Sequence, residues 1–163
     1  MSVRHIKILL VVCVSLLCLV YATQNVVNIN EAFAAIAYVM GMQDHVVYPS
    51  SFVPSVQSPL LVWVALTVVV GLEYTAGALA AKGAYDMWVA RRGDAAGFDA
   101  SKRFALLGAG TGMLVWLGLF GVVGGAMFQM WQTTVGSGSL TGAFQYFGSM
   151  VLVALFVVAP EPR

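Results

Sequence analysis

Residues 102–132 read KRFALLGAGTGMLVWLGLFGVVGGAMFQMWQ, and this stretch decides the fold. It begins with two basic residues, ends beside a tryptophan and carries no charge between Phe104 and Gln132. A transmembrane helix needs about 20 apolar residues, because each residue adds about 1.5 Å and the hydrocarbon core is about 30 Å thick. The stretch is therefore predicted to cross a membrane as one helix.

Glycine is frequent in this span. In water each glycine weakens a helix by up to about 1 kcal/mol relative to alanine. In lipid, small residues four apart let two helix backbones approach closely, and Gly108/Gly112 and Gly121/Gly125 have that spacing. The residues predicted to pack helices together are Gly108, Gly112, Gly118, Gly121 and Gly125, with Gly77 and Ala80 on the preceding span. They make this span the predicted centre of a small bundle.

The composition of the chain places it in the membrane class. Of its 163 residues, 60% are hydrophobic and 9% are charged, against about 25% charged residues in soluble domains. One transmembrane domain, residues 1–163, is expected at this length. The net charge of +1 argues against a nucleic-acid partner, since binding phosphates takes a basic patch. Cys13 and Cys18 lie in an apolar segment and are interpreted as buried apolar residues rather than a disulfide or a metal site.

Hydropathy divides the chain into four predicted spans. They cover about residues 6–23, 59–82, 103–130 and 140–159, joined by an outer loop (24–58), a cytoplasmic connector (83–102) and an outer turn (131–139). The basic start and the apolar run after it resemble a signal peptide, with a small-residue site at Val20-Tyr21-Ala22. We interpret this segment as the first transmembrane helix. The predicted fold class is an all-α membrane protein, a bundle of four transmembrane helices.

The outer loop is predicted to contain a short helix at the membrane surface. Asn28 and Glu31 have the spacing of a capping box, with Asn28 as the N-cap. The apolar residues that follow share one helical stripe, namely Phe33, Ile36, Ala37 and Met40. An amphipathic helix of this kind lies in the plane of the interface.

All Lys and Arg residues fall on one side of this four-span arrangement. They are Arg4, Lys7, Lys82, Arg91, Arg92, Lys102, Arg103 and Arg163. Loops rich in Lys and Arg stay in the cytoplasm, which is the positive-inside rule. We therefore predict a multi-pass protein of the bacterial inner membrane with both termini cytoplasmic (N-in/C-in).

Several segments of the chain carry a family likeness. They are Tyr38-Val-Met-Gly-Met-Gln-Asp44, Ser58-Pro59, Glu73, Gly97-Phe-Asp-Ala-Ser-Lys102 and, most specifically, WLGLFGVVGGAMFQMWQ at residues 116–132. With them the sequence resembles a family of predicted small integral membrane proteins of bacteria, a domain of unknown function with four transmembrane helices. The resemblance implies the architecture and no particular activity.

Two positions depart from that family's pattern. In the family an acid usually follows the Gly-Gly pair, and an arginine follows Ala-Phe near the start of the last span. Here those positions hold Ala126 and Gln145. We infer as a hypothesis that relatives form an ion pair which this chain lacks.

Glu73 is the one ionisable residue predicted at membrane depth. Small residues follow it on the same helix face, so the acid is predicted to point toward packed protein. An intramembrane acid could carry a proton or bind a cation. It could instead hydrogen-bond a neighbouring helix, through Thr75, Thr111 or Tyr74. The structural interpretation is favoured, because a pathway needs several polar residues in series and the spans supply few.

The outer loop holds a metal-like pattern. Met42 and His45, with Met40 and Asp44 beside them, offer thioether and imidazole ligands that suit copper. Packing is favoured over metal binding, because one histidine with two methionines is a thin ligand set and methionine commonly fills gaps.

The aromatic residues fall into two groups. Trp63, Trp88 and Trp131 are predicted interface anchors, since tryptophan favours the headgroup level of a bilayer. Others could line a groove for a lipid, a quinone or a pigment, namely Phe120, Phe128, Phe144, Tyr146, Phe147 and Phe156. No convergent polar pair marks a headgroup site, so no cofactor is predicted.

The sequence shows no nucleophile–base pair, phosphate loop or carboxylate pair, so we expect it not to be an enzyme. The leading prediction is a non-catalytic accessory subunit of a larger bacterial membrane complex, respiratory or photosynthetic, with other membrane subunits and lipids as partners. One alternative is a small carrier or channel that uses Glu73, as a homo-oligomer through the glycine faces. A second alternative is copper handling at the outer loop.

Overall fold

Four long apolar helical stretches make up the protein. The computed structural model describes residues 2–161, and Met1, Pro162 and Arg163 lie outside the described residues. The elements are α1 (Val3–Val27), α2 (Ile29–Met40), α3 (Pro59–Ala90), α4 (Ala95–Ser101), α5 (Arg103–Met113), a π-helical segment (Leu114–Met127), a 3-10 turn (Met130–Gln132) and α6 (Thr134–Val158). Long and apolar enough to cross a membrane are α1, α3, the stretch from α4 through the π-helical segment, and α6. The prediction of an all-α bundle with four spans is confirmed.

The first span continues almost directly into α2. The helix runs to Val27 rather than ending near residue 23, and only Asn28 separates it from α2. The Asn28 side chain does not cap α2. Its Nδ2 donates to the Gln24 carbonyl oxygen at 2.8 Å, and its backbone N–H donates to the same oxygen at 3.0 Å. The capping box predicted from Asn28 and Glu31 is therefore wrong, because Asn28 extends the bonding pattern of α1.

Helix also occupies most of the predicted connector 83–102 and outer turn 131–139. Lys82 and Asp86, one helical turn apart, form an ion pair at 2.7 Å that supports the continuation of α3 to Ala90. Thr133 caps α6, since its hydroxyl accepts the Gly136 N–H at 3.0 Å. The charges and glycines that indicated loops in the sequence are thus accommodated within helices.

Small residues bring α3 and α5 into close contact. A Cβ placed on Gly108 would lie 2.5 Å from the Ala80 nitrogen and 2.8 Å from the Ala76 oxygen. A Cβ placed on Gly83 of α3 would come even closer to the backbone nitrogen of Ala105 on α5. These distances leave no room for a side chain, so the two backbones can approach only where glycine stands.

Two further predicted packing glycines face the other spans. A Cβ on Gly77 would lie 2.6 Å from Leu19 Cγ of α1, and one on Gly112 would lie 2.6 Å from the Met150 sulfur of α6. Helix α5 therefore lies between α3, which it contacts at Gly108, and α6, which it contacts at Gly112.

The third span changes its hydrogen-bond pattern half-way. From Leu114 to Met127 the turns are wider than those of an α-helix, and at the end of the segment the Phe128 N–H donates to the Val123 oxygen, five residues back, at 2.9 Å. In this segment a Cβ on Gly125 would lie 3.1 Å from Leu140 of α6.

The packing role predicted for Gly118 and Gly121 is wrong. A Cβ on Gly118 would meet nothing within 4 Å, and the nearest atoms to one on Gly121 belong to Leu117 and Trp116 of the same segment. The four-residue spacing of small residues describes α-helical turns, and the faces shift where the turns are wider.

Candidate functional site

Glu73 lies inside the bundle, on the side of α3 that faces α1. It is 2% exposed, and Asn25 Nδ2 of α1 donates to its Oε2 at 3.0 Å. Asn25 is the hydrogen-bond partner that the described residues provide for this carboxyl group. The acid therefore joins two spans near the end of the bundle where α1 passes into α2.

The partners expected for Glu73 from the sequence are wrong. Thr75 and Thr111 donate their hydroxyls to the backbone of their own helices at 2.7 and 2.9 Å. Tyr74 shares a hydrogen bond with Thr23 at 3.2 Å. Asn25 was missed because residues 24–58 were assigned to the outer loop, whereas α1 extends to Val27.

Aromatic rings fill the interior between α1, the π-helical segment and α6. Tyr21 and Tyr146 are joined by a hydrogen bond between their hydroxyls. The Trp116 ring lies against both, with ring centroids 6.4 Å from Tyr21 and 5.6 Å from Tyr146. Trp116 is 3% exposed, so this contact belongs to the core of the bundle.

The buried polar groups of the described residues are satisfied by one another. Ser15 donates to the Gly77 oxygen at 2.9 Å, and every buried side-chain nitrogen or oxygen in residues 2–161 has a hydrogen-bond partner. An interior prepared for a polar ligand would leave donors or acceptors free to meet it. Around Glu73, two hydrogen bonds link α1 to α3, one from Asn25 to Glu73 and one from Ser15 to the Gly77 oxygen.

A second group of charges, here called the end cluster, joins both ends of the described chain. The Glu161 carboxylate accepts Lys7 Nζ at 2.7 Å and Arg4 Nε at 3.3 Å, and Lys102 Nζ lies 3.5 Å away. Lys7 and Lys102 also donate to the Ala159 oxygen at 2.6 and 2.8 Å. The side chains of Lys7, Lys102 and Glu161 are no more than 4% exposed.

The cations of the end cluster control the ionisation of Glu161. Burial alone raises the pKa of this carboxyl. The hydrogen bond and charge of Lys7, followed by the hydrogen bond of Arg4 and the charge of Lys102, outweigh burial and lower the pKa from its ordinary value. Glu161 is thus held as the carboxylate. Sequence reasoning treated these basic residues only as topology signals, and nothing in the spacing indicated that an acid near the chain end would reach them.

Gln132 holds the loop between α2 and α3 against the opposite end of the bundle. Its Oε1 accepts the backbone N–H groups of Val47 and Tyr48, both at 2.8 Å, and the Tyr48 ring packs edge-on against Trp131 with centroids 5.1 Å apart. The loop passes through positive φ values at Met42 and Asp44. Within residues 2–161 no group of three or more His, Cys, Asp or Glu side chains is arranged to hold a metal, so copper binding by Met42 and His45 stays a prediction.

The three tryptophans named as interface anchors lie at the two ends of the bundle. Trp63 packs on Phe33 of α2 with ring centroids 4.8 Å apart, and Trp131 lies beside the loop. At the other end Trp88 meets His5 edge-on at 6.1 Å. All three are partly exposed on the outside of the bundle, at 39 to 47%.

A family model described as predicted small integral membrane protein (DUF2165) matches residues 3–160. The chain belongs to this family. The match extends across the spans from α1 to α6, so the resemblance inferred from the sequence motifs is confirmed and the protein is an integral membrane protein. No curated protein and no solved structure matches the chain.

In this family member the two departures from the pattern lie on the outside of the bundle. Ala126 of the π-helical segment and Gln145 of α6 are both exposed. The ion pair inferred for relatives at these positions stays a prediction, but its location would be the membrane-facing surface rather than the core.

Proposed function

We propose that the protein is a non-catalytic subunit of a larger assembly in the bacterial inner membrane, and that it docks through the outward face of α6. The observation that carries the proposal is Gln145, a polar side chain exposed in the middle of an apolar span. No hydrogen bond of the Gln145 side chain is found within residues 2–161, and outside the helical backbone pattern the residue accepts only Ser149 Oγ, at its backbone oxygen, at 2.8 Å. Its carboxamide is left for a neighbour.

The residues around Gln145 form a face suited to a second helix. Gly138, Thr141, Gln145, Gly148 and Leu152 follow one another at intervals of three and four, so they share one side of α6. A Cβ on Gly138 or on Gly148 would meet nothing within 4 Å. Helices in membranes associate through small residues that allow close approach and through polar side chains that bond across the interface. This face has both features, and among residues 2–161 its glycines have no neighbouring helix packed on them.

Energetics favour a partner helix over lipid at this face. A side-chain amide facing hydrocarbon has no water to bond, and burying such a group unpaired is unfavourable. An interhelical hydrogen bond in a membrane contributes about 0.6–2 kcal/mol. Glycines that leave open space in the single chain add close packing to this bond once a partner is present.

The type of host complex is proposed by analogy with other small membrane subunits. Small subunits that consist almost entirely of transmembrane helix are common in respiratory and photosynthetic complexes, and other membrane subunits and lipids are the expected partners. The proposed orientation keeps both termini in the cytoplasm, because the basic residues gather at one end of the bundle. In such a subunit Glu73 and the end cluster would hold the helices together while α6 contacts the host.

Extraction from native membranes in a mild detergent tests the proposal, followed by native electrophoresis and mass spectrometry of the comigrating chains. We expect the wild-type chain in one large assembly. Gly148→Leu, which fills the open face, and Gln145→Leu should release a substantial fraction as free subunit. Gly110→Leu on α5 is the matched control, since a Cβ there also meets nothing within 4 Å and should leave assembly unchanged. If the wild-type chain migrates alone at 17.3 kDa, the proposal is overturned. If it migrates only as multiples of its own mass, it forms a homo-oligomer and the proposal of a larger host complex is likewise overturned.

A carrier or channel that uses Glu73 is the second candidate, favoured by the burial of this acid between two spans. Glu73→Gln removes the charge but keeps an oxygen that can accept the Asn25 amide. Under the subunit proposal this variant assembles like the wild type. A proton or cation flux in vesicles that is present in the wild type and lost in Glu73→Gln would establish the second candidate instead.

A further inference from the structure

An open apolar groove of about 470 Å³ runs between α1 and α3 on the outside of the bundle. Its walls are Leu9, Val12 and Leu16 on α1 and Ala81, Ala84 and Tyr85 on α3. His5 and Trp88 stand at one end of it. The groove exists because small alanines on α3 face larger side chains on α1 and leave the space between the helices unfilled.

The length of the groove matches one leaflet of a bilayer. Along α1 it extends from His5 to Leu16, which at about 1.5 Å per residue is about 16 Å, close to half the hydrocarbon thickness of about 30 Å. It starts at the end of the bundle that carries the end cluster and extends along α1 as far as Leu16. These dimensions suit a single extended acyl chain that lies along the helix pair.

At the polar end of the groove Arg91 lies against Trp88, and Arg92 follows it in the chain. The Arg91 guanidinium lies 3.7 Å from the centre of the Trp88 ring and donates to the Trp88 oxygen at 2.5 Å. Arg92 beside it is exposed, and neither arginine forms an ion pair within residues 2–161. Tryptophan and histidine rings with basic side chains at the headgroup level are suited to an anionic lipid headgroup.

We propose that this groove is a binding site for one anionic glycerophospholipid, with one of its two acyl chains lying between α1 and α3 and its phosphate bound by Arg91 and Arg92. The charge at the mouth, the apolar walls and the length of one leaflet all fit this ligand. The site lies on α1 and α3, apart from the α6 face, so the lipid proposal does not depend on the proposed subunit role.

The headgroup part of the proposal is tested with the purified chain in detergent. Phosphatidylglycerol and phosphatidylcholine with identical acyl chains are added, and retention is measured by native mass spectrometry. We expect preferential retention of phosphatidylglycerol by the wild type. In the double variant Arg91→Gln/Arg92→Gln its affinity should fall about tenfold and the preference should disappear. Arg103→Gln is the control, because Arg103 is another exposed arginine that forms no ion pair with residues 2–161 and lies outside the groove.

The acyl-chain part is tested by filling the groove. Ala81→Phe places a ring in it at an exposed position and should abolish retention of both lipids, whereas Ala126→Phe, at an exposed position outside the groove, should retain them. A phosphatidylglycerol with a photoreactive acyl chain should crosslink to Leu9 or Val12. Equal retention of the two lipids by all variants, or crosslinks confined to residues outside the groove, would overturn the proposal. Crosslinking of this groove to another protein chain in native membranes would assign it to a partner helix instead.

Discussion

Gly108 and Gly110 lie two residues apart on α5 and face opposite surroundings. A Cβ on Gly108 would lie 2.5 Å from the Ala80 nitrogen, whereas one on Gly110 would meet nothing within 4 Å. We predict that Gly108→Ala destabilises the bundle by about 1–3 kcal/mol, because backbone cannot move aside as a flexible side chain does. Gly110→Ala should be neutral or slightly stabilising, since it only raises helix propensity.

Unfolding of the two variants by increasing SDS in mixed micelles measures this difference. The pair is matched in helix, substitution and depth, so a difference in midpoint reports the α3–α5 contact alone. If both variants unfold at the same SDS concentration, the close approach of Gly108 to Ala80 contributes nothing measurable to the stability of the bundle.

The ionisation of Glu161 gives stability that depends on pH. Its pKa is lowered in the folded protein, so the stabilisation is complete above the ordinary glutamate pKa of about 4.5 and is lost as the pH falls through the lower folded value. Glu161→Gln leaves three cations around a neutral amide, and we predict a loss of about 3 kcal/mol at pH 7, in the range for breaking a buried ion pair. The wild-type unfolding midpoint should drop between pH 5 and pH 3 by more than that of the variant. Parallel pH profiles for the two proteins would contradict the prediction.

Glu73 shows how far single residues could be predicted from the sequence. Its burial followed from an acid within an apolar span flanked by small residues, and the structure finds it 2% exposed. Its partner did not follow, because Asn25 lies 48 positions away and was assigned to a loop. Hydrogen bonds between spans depend on the rotation of each helix, which a locally apolar sequence leaves open.

At the scale of elements, apolar length predicted the number of spans but not which faces pack. Lipid and protein interior are equally apolar, so a transmembrane helix lacks the polar face that would show its orientation in water. The spacing of small residues was therefore the only basis for predicting which helix faces pack together. It agreed with the contact of Gly108 in α-helical α5 and was wrong for Gly118 and Gly121 in the π-helical segment. Helix ends were also missed, because charged and glycine-rich segments next to the spans continue as helix.

The loop between α2 and α3 depends on one side chain of the 3-10 turn. Gln132 accepts the N–H groups of Val47 and Tyr48 and donates to the Tyr48 oxygen at 3.3 Å. We predict that Gln132→Ala increases hydrogen exchange at these two amides about tenfold or more, since each net hydrogen bond contributes about 0.5–1.5 kcal/mol. The global unfolding midpoint should change little, because the contacts between spans are untouched.

Gln43→Ala provides the control for this loop. Gln43 is exposed in the same segment, and no side-chain hydrogen bond of this residue is found within residues 2–161. Exchange at Val47 and Tyr48 should then match the wild type. If the Val47 and Tyr48 amides exchange as slowly in the Gln132→Ala variant as in the wild type, the loop is held by the packing of Tyr48 on Trp131 alone.

At the scale of the whole molecule, the contacts fix which parts share an end of the bundle, and the charges indicate which side of the membrane that end faces. Arg4 bonds both Glu161 and the Gly93 oxygen, so α1, the α3–α4 junction and the chain end meet at one end. Gln132 ties the loop around Val47 to the other. The positive-inside rule predicts that the end with Arg4 and Glu161 faces the cytoplasm.

Labelling of single cysteines tests this orientation once Cys13 and Cys18 are replaced by serine. We predict that an impermeant maleimide labels Val46→Cys in spheroplasts, where the outer face of the inner membrane is accessible, and labels Ala96→Cys only after permeabilisation, both positions being exposed in the structure. The reverse pattern would invert the orientation, and labelling of both in intact spheroplasts would contradict a bundle with these two positions at opposite ends.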